Sequence, residues 1–155
     1  MATTAFIRFD GIDGESTNKD HRGEIDLLSW SWGLNAVTVT SGGGGSGASR
    51  VAPRDFHFVH RYDKASPALA KSAASGRHVA SAVMSSRKAG AGQKDFLKVT
   101  MTDVLITSVA TGDDGSGPTE QVSITYAEIA FSYQPAGTGA AAVTFDWNVA
   151  SGRVT

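Results

Sequence analysis

The sequence predicts a mainly β domain, a sandwich or barrel with one short helix over one side. Seven stretches alternate apolar and polar residues with the period of a strand, and turn signals separate them at short intervals. One stretch, between the third and fourth strand candidates, has helical spacing. Because helices do not follow every strand, a Rossmann or TIM arrangement is excluded. A chain of 155 residues fits one domain, residues 1–155.

Three strands are predicted before the helix. Residues 6–10 alternate apolar and charged side chains, and a polar, turn-rich loop follows over 11–23. Residues 25–39 form one long strand whose even positions carry the bulky side chains, and residues 56–62 form the third strand. Each of these strands therefore has one face suited to a core.

The second strand has two very different faces. Trp30 and Trp32 point to the same side, because side chains alternate along a strand, while Ser29, Ser31 and Gly33 line the other side. We expect the tryptophans to anchor the core and the small polar side to stay smooth and uncovered.

A glycine-rich stretch follows the second strand and is predicted to be a flexible connecting loop. It matches a GxGxxG spacing, but it leads from strand to strand, whereas the dinucleotide motif needs a helix N-terminus to hold the pyrophosphate. A phosphate-binding P-loop would also need a lysine after the last glycine, and alanine stands there. The loop consists of Ser41, Gly42, Gly43, Gly44, Gly45, Ser46 and Gly47.

The helix is predicted over about 66–76. Ser66 is a suitable N-cap, and Gly76 suits the left-handed conformation that ends many helices. Leu69 and Ala73 are four residues apart, so they lie on one face, which we expect to pack on the body of the protein.

Four further strands are predicted after the helix, over 78–87, 96–109, 122–133 and 143–149. In the third of these the apolar residues change from even to odd positions near Ala127. A change of one residue moves the apolar set to the opposite face, so this pattern predicts either a β-bulge near Ala127 or a strand buried on both sides.

Composition excludes several classes of protein. The formal net charge is −1 and no run of lysines or arginines occurs, so nucleic-acid binding is not predicted. Cysteine is absent, which rules out disulfides and thiolate metal sites. No segment approaches the roughly 18 apolar residues of a membrane span, and the N-terminus lacks the basic and apolar regions of a secretory signal.

No catalytic, metal or cofactor site is predicted. His57 and His60 are three apart on a strand, so they face opposite sides and do not share a metal. Asp10, Asp13 and Asp20 resemble fragments of a calcium loop, but an apolar residue stands where an oxygen ligand is needed. The sequence also contains no GxSxG nucleophile elbow. A hydrolase whose residues converge only in three dimensions stays open as a rival.

Seven ordered blocks resemble one family. They are FIRFDGIDGEST, EIDLLSWSWG, FHFVHRYDKASPAL, AASGRHV, SSRKAGAGQKDFLKVTMTDVLITSV, PTEQVSITYAEIAFSYQP and the region of Trp147. In this order they are similar to the Hcp family, the haemolysin-coregulated tube proteins of bacterial type VI secretion systems. The resemblance runs from about residue 6 to residue 149. The stretch 41–49 and the tail after Pro135 depart from the family pattern, and Trp147 follows Asp146 where many relatives have glycine.

The resemblance implies a tight β-barrel of two sheets with one short flanking α-helix. It also implies a structural role without catalysis or cofactor, in which homohexameric rings stack into a tube that carries small effector proteins in its lumen. The implied partners are a VgrG spike, a contractile sheath and baseplate components. The implied route is assembly in the bacterial cytoplasm and secretion through the type VI apparatus without a signal peptide, with neither membrane insertion nor nucleic acid involved.

This resemblance gives the candidate residues expected roles. We expect Ser29 and Ser31 to face the lumen and contact effectors, and the loop from Ser41 to Gly47 to contact the next ring. The other possibilities are a Ser31 that faces ordinary solvent or a neighbouring sheet, and a loop without a partner. The predicted core anchors are Trp30, Trp32 and Trp147.

Two further alternatives are carried forward. A stand-alone β-sandwich that binds a ligand such as carbohydrate would present exposed aromatic side chains as stacking platforms, whereas these tryptophans lie within hydrophobic runs. A specialised Hcp that carries one dedicated effector is the closer alternative.

Overall fold

The computed structural model describes residues 1–39, 48–136 and 139–155. These residues form eleven strands and one helix, so the predicted mainly β class with one short helix is confirmed. In chain order the elements are β1 (Thr3–Phe9), β2 (Ile25–Leu27), β3 (Ser29–Ser31), β4 (Leu34–Val39), β5 (Ala48–Pro53), β6 (Phe56–Arg61), α1 (Ala65–Ser75), β7 (His78–Lys88), β8 (Asp95–Asp113), β9 (Pro118–Tyr133), β10 (Val143–Asn148) and β11 (Arg153–Val154).

The strands form two sheets. The larger has nine strands, in the order β11-β10-β9-β8-β7-β1-β2, and β6 joins it by pairing with both β9 and β3. Leu28 separates β2 from β3, and its N–H donates to the carbonyl of Val59 on β6 at 2.8 Å. The short segment that contains β2 and β3 therefore connects β1 to β6, and β6 leads back to β9 around a common core. The smaller sheet is the β4–β5 ribbon.

The core is built from the inward-facing side chains of the large sheet and from one face of the helix. On β6, Phe56, Phe58 and His60 are fully buried while the residues between them are half-buried, as the alternating pattern predicts. Burying one large apolar side chain contributes about 1.5–3 kcal/mol. Tyr62, just after β6, is exposed.

The predicted single strand over 25–39 is wrong, because three strands occupy this stretch. β2 pairs with β1, β3 pairs with β6 and β4 pairs with β5, so the chain changes partner twice. Leu28 and Leu34 are exposed, so the bulky even positions do not form one continuous buried face. The sequence does not predict β5 or β11, which are short strands without an apolar alternation long enough to identify them.

The predicted change of face near Ala127 is present, and of the two explanations offered for it, a β-bulge or a strand buried on both sides, the bulge at Ala127 is wrong. Buried side chains change from even to odd positions after Tyr126, while the pairing with β8 keeps one register on both sides of Ala127. The register shift lies instead between Ile106 and Ser108. Opposite Ala127, Asp103 has a φ of 53°, the left-handed conformation, and the neighbour of β9 changes from β6 to β10 near this point.

The helix begins one residue earlier than predicted, and Ser66 is not its N-cap. Lys64 holds the N-cap position without a side-chain hydrogen bond, and Ser66 lies in the first turn. The carboxylate of Asp63 instead accepts the N–H of Ala65 at 2.9 Å, while Ser66 Oγ accepts the N–H of Asp63 at 3.1 Å. The carboxylate of Asp63, rather than the hydroxyl of Ser66, therefore accepts a backbone N–H at the start of the helix.

The far end of the helix matches the prediction. Gly76 has a φ of 66°, and its N–H donates to the carbonyl of Ala73. Leu69 is fully buried and Ala73 packs against the core, so the predicted face of the helix contacts the body. Among the residues described, no helix has both the length and the apolar character needed to cross a membrane.

Candidate functional site

A row of small polar side chains crosses four neighbouring strands. Ser31 on β3 lies opposite His57 on β6, His57 lies opposite Ser123 on β9, and Ser123 lies opposite Ser108 on β8. Directly opposite residues share one face of a sheet, so these side chains line a single surface. His57 Nδ1 and Ser123 Oγ are 3.0 Å apart and form a hydrogen bond within it.

A second row runs beside the first. Ser29 lies opposite Val59, which lies opposite Gln121. Ser29, Ser31 and Gln121 are exposed, and Val59 is half-buried. We call this surface the polar face, defined by Ser29, Ser31, His57, Ser108, Gln121 and Ser123.

The sequence points to only part of the polar face. It singles out Ser29 and Ser31 because they lie opposite the tryptophans along the strand. It does not connect them with Ser108 or Ser123, because strand pairing between distant segments is not visible in one sequence. The polar odd positions at the start of β9 are the available signal.

None of the three tryptophans belongs to the polar face. Trp30 lies on the opposite side of β3 from Ser29 and Ser31. Trp30 is half-buried and stacks on Phe56, with ring centroids 5.8 Å apart and planes 7° apart. Trp32 is half-buried with its ring 4.8 Å from that of Phe131, and Trp147 is buried. A carbohydrate-binding platform needs exposed aromatic rings, and none of these three is exposed.

The β4–β5 ribbon stands off the large sheet. Asn35 and Ala36 are neighbours on β4 and point to opposite faces, yet both are exposed, as are Val51 and Ala52 on β5. The predicted ring-contact loop, Ser41 to Gly47, lies outside the described residues, between these two strands.

An apolar groove lies between the ribbon and the end of the large sheet. Its volume is about 430 Å³ and its lining residues are all uncharged. Leu34, Val51 and Val154 are exposed there, and exposed apolar clusters of this kind mark interaction surfaces. The lining residues are Leu34, Val51, Phe145, Trp147, Val149, Gly152 and Val154.

Tyr126 connects the ribbon to the large sheet. The indole N–H of Trp32, just before β4, donates to the Tyr126 hydroxyl oxygen, and this hydroxyl donates to the carbonyl of Arg54, just after β5, at 2.7 Å. Burial raises the pKa of Tyr126 above its ordinary value, so the hydroxyl keeps the proton that it donates.

A buried acid–base pair lies behind the polar face. His60 Nε2 is 2.8 Å from Glu120 Oε1, and Thr111 Oγ1 donates to the other carboxylate oxygen at 3.2 Å. His60 Nδ1 is 3.8 Å from a carboxylate oxygen of Asp63. Burial raises the pKa of Asp63 against the opposing influence of His60. The cluster joins β6, β9 and the start of the helix.

A second charged cluster fastens the loop after β1 to β7 and β8. Arg87 is buried, and its Nε donates to Asp95 at 2.8 Å while its Nη1 donates to Asp20 at 3.1 Å. His21 is within hydrogen-bond distance of Glu24 and Asp95. Burial would raise the pKa of Asp95, but the hydrogen bonds from Arg87 and His21 outweigh it and lower that pKa.

Comparison with known proteins gives one family. Residues 6–133 match the family described as "Type VI secretion system effector, Hcp". The chain is 37% identical to protein hcp1 of Pseudomonas aeruginosa, an alignment that covers 96% of each protein. It is similar to the crystal structure of Hcp1 from Salmonella typhimurium, with a TM-score of 0.83, 30% identity and all of both chains covered. A type VI secretion system effector from Yersinia pestis gives a TM-score of 0.77 at 29% identity, over 94% of this chain and 99% of that one.

Proposed function

The chain belongs to the Hcp family and is a structural tube protein of a type VI secretion system rather than an enzyme, and from this we propose that six copies close into a ring whose channel is lined by the polar face. The rings stack into the inner tube, which a contractile sheath on a baseplate expels behind a VgrG spike. The tube assembles in the cytoplasm and leaves the cell without a signal peptide.

The polar face is the observation that carries this proposal. A channel that passes proteins needs a wall without large apolar side chains, because an exposed apolar patch binds other apolar surfaces. The row from Ser31 to Ser108 supplies polar side chains across four strands. The row from Ser29 to Gln121 crosses three strands and contains one small apolar side chain, the half-buried Val59. In this proposal Ser29 and Ser31 contact small effectors in the lumen.

The ring itself requires two different patches on each copy. A closed ring with more than two members uses a heterologous interface, in which one patch meets a different patch on the next subunit. The part of β9 around Ala127, where the buried face changes and the neighbouring strand is replaced, is our candidate for one of them.

Stacking of the rings is assigned to the ribbon and the loop from Ser41 to Gly47 between its strands. Support comes from the ribbon, whose described side chains Asn35, Ala36, Val51 and Ala52 are exposed on both faces, and from the uncharged groove beside it. Both features leave apolar surface available to a neighbouring copy. Trp30, Trp32 and Trp147 serve as anchors that hold the wall and the ribbon against the core.

Native mass spectrometry, with negative-stain images of the same sample, tests the proposal. Six copies of a 16.1 kDa chain have a mass of about 97 kDa, and the images should contain rings with an open centre. A monomer at micromolar concentration, without rings in the images, would contradict the ring and its polar channel.

A further inference from the structure

We propose that Tyr126 is a positioning residue for the β4–β5 ribbon, and that contact between stacked rings depends on its hydroxyl group. The inference rests on the proposed function, because it assigns the ribbon to the contact between rings. It goes further by naming the side chain that sets the direction of the ribbon.

The residues that flank the ribbon in the chain, at the start of β4 and the end of β5, meet at the Tyr126 hydroxyl. Trp32 precedes β4 and donates its indole N–H to Tyr126 Oη, while Arg54 follows β5 and accepts the hydroxyl proton through its backbone carbonyl at 2.7 Å. The N–H of Arg54 also donates to the carbonyl of Gly33 at 2.9 Å. The Tyr126 side chain of the large sheet is therefore hydrogen-bonded to the residues on either side of the ribbon in the chain.

The large sheet fixes the position of the Tyr126 side chain. Tyr126 is 6% exposed and lies in the middle of β9, where it is paired with Val104 on β8. A phenol hydroxyl donates one hydrogen bond and accepts others, so the donation to Arg54 and the acceptance from Trp32 together define its orientation. The Trp32 ring is held in turn by its contact with Phe131.

The ribbon needs such a contact, because a two-stranded ribbon is marginally stable on its own in water. Where its side chains are described, Asn35, Ala36, Val51 and Ala52 are exposed, so this part of the ribbon packs little against the large sheet. Leu34 and Val51 also form one wall of the apolar groove, whose other wall is the end of the large sheet. A change in the angle of the ribbon therefore changes the width of the groove.

The test compares Tyr126→Phe and Trp32→Phe, each of which removes one hydrogen-bonding group and keeps an aromatic ring. In the full-length protein, both variants should keep the mass of the wild-type ring in native mass spectrometry. Exchange of the Arg54 amide hydrogen should become about tenfold faster, and the concentration at which half of the rings are stacked should rise about tenfold. The double variant should behave like Tyr126→Phe alone, because that change already removes both hydrogen bonds of the hydroxyl.

The matched control is Tyr62→Phe, which removes the hydroxyl of an exposed tyrosine just after β6, at the other end of that strand from Arg54 and the ribbon. It should change neither amide exchange at Arg54 nor stacking.

Three results would overturn the inference. Unchanged exchange at Arg54 in Tyr126→Phe would show that the hydroxyl does not hold the ribbon. Faster exchange with unchanged stacking would show that stacking does not depend on it. Additive effects of the two single variants would show that the two groups act separately. Failure of the wild-type protein to form rings would instead refute the proposed function, and exchange at Arg54 would still decide whether Tyr126 holds the ribbon.

Discussion

His60 and Glu120 are bonded to each other in the interior, with His60 Nε2 2.8 Å from Glu120 Oε1 and both side chains at most 1% exposed. The pair joins β6 to β9 on the side of the sheet away from the polar face. A single substitution in this pair should therefore destabilise the buried side of the sheet that forms the proposed channel wall.

Replacing His60 by Leu should destabilise the protein by about 3–5 kcal/mol, because it leaves the Glu120 carboxyl group buried with the Thr111 hydroxyl as its remaining partner. Urea denaturation at neutral pH measures the effect. Replacing both residues together, His60→Leu with Glu120→Met, should recover much of the loss, since no unpaired charge is then buried. A single variant with the urea midpoint of the wild type would contradict this account.

Asp63→Asn should make the protein more stable at neutral pH. Burial raises the pKa of this carboxyl above its ordinary 3.8, so the folded state favours the protonated form and ionisation costs stability. The stabilising effect of the protonated form is complete below pH 3.8 and disappears as the pH rises through the folded-state pKa. Asparagine carries no charge and keeps an oxygen that accepts the N–H of Ala65.

Urea denaturation at pH 7 and at acid pH tests this. The advantage of Asp63→Asn should shrink as the pH falls through the pKa of the wild-type carboxyl. An advantage that grows on acidification has the opposite sign and would be incompatible with the assignment.

Asp95→Asn should have the reverse effect and destabilise the protein at neutral pH by about 1–3 kcal/mol. The pKa of Asp95 is lowered, so its carboxylate contributes stability above pH 3.8 that is lost as the pH falls through the folded-state pKa. The difference from the wild type should therefore vanish in acid. Asp10→Asn, at an exposed carboxylate, is the control and should change little. Equal losses at both positions would argue against a special role of the Arg87 cluster.

Asp103→Val should destabilise the protein by about 1–2 kcal/mol, because the left-handed backbone at φ 53° is strained for a β-branched residue. Asp103→Gly loses the same contact with His78 but tolerates the backbone, so the difference between the two variants isolates the strain. Thermal unfolding measures both, with Thr102→Val as control for adding an apolar methyl group to an exposed position of the same strand. Equal melting temperatures of the valine and glycine variants would disprove the argument.

Ser31→Gln should hinder retention of effectors without breaking the ring, because a longer side chain then projects from the polar face. The measurement is the amount of a co-expressed effector that remains stable beside the variant, with the ring mass measured in parallel. Ser151→Gln, in the exposed turn before β11, is the matched control. Unaltered effector stability beside Ser31→Gln would remove Ser31 from the proposed contact surface.

The sequence predicts best those elements that bury one face along their whole length. The alternation in β6 correctly places Phe56, Phe58 and His60 inside, and the glycine at position 76 correctly ends the helix. In these places local pattern and tertiary packing agree, so a single sequence is sufficient.

The sequence fails where one stretch has several partners. Residues 25–39 read as one strand, but three different strands pair with successive parts of them, and alternation carries no information on partners. For the same reason Ser29 and Ser31 are predicted while Ser108 and Ser123, which complete the polar face, are not. The hydrogen bonds of the Tyr126 hydroxyl join residues up to 94 positions apart, and no local sequence pattern predicts them.

The long pairing of β8 with β9 has a mechanical consequence. It runs from Leu97 opposite Tyr133 to Asp113 opposite Pro118, with one register shift on the way, and it supplies two of the four strands of the polar face. A pull along these two strands in opposite directions loads many backbone hydrogen bonds together, whereas peeling breaks them one after another. A subunit built on this hairpin resists sliding of its strands more strongly than separation at its ends, a property suited to a tube that carries load during the proposed expulsion.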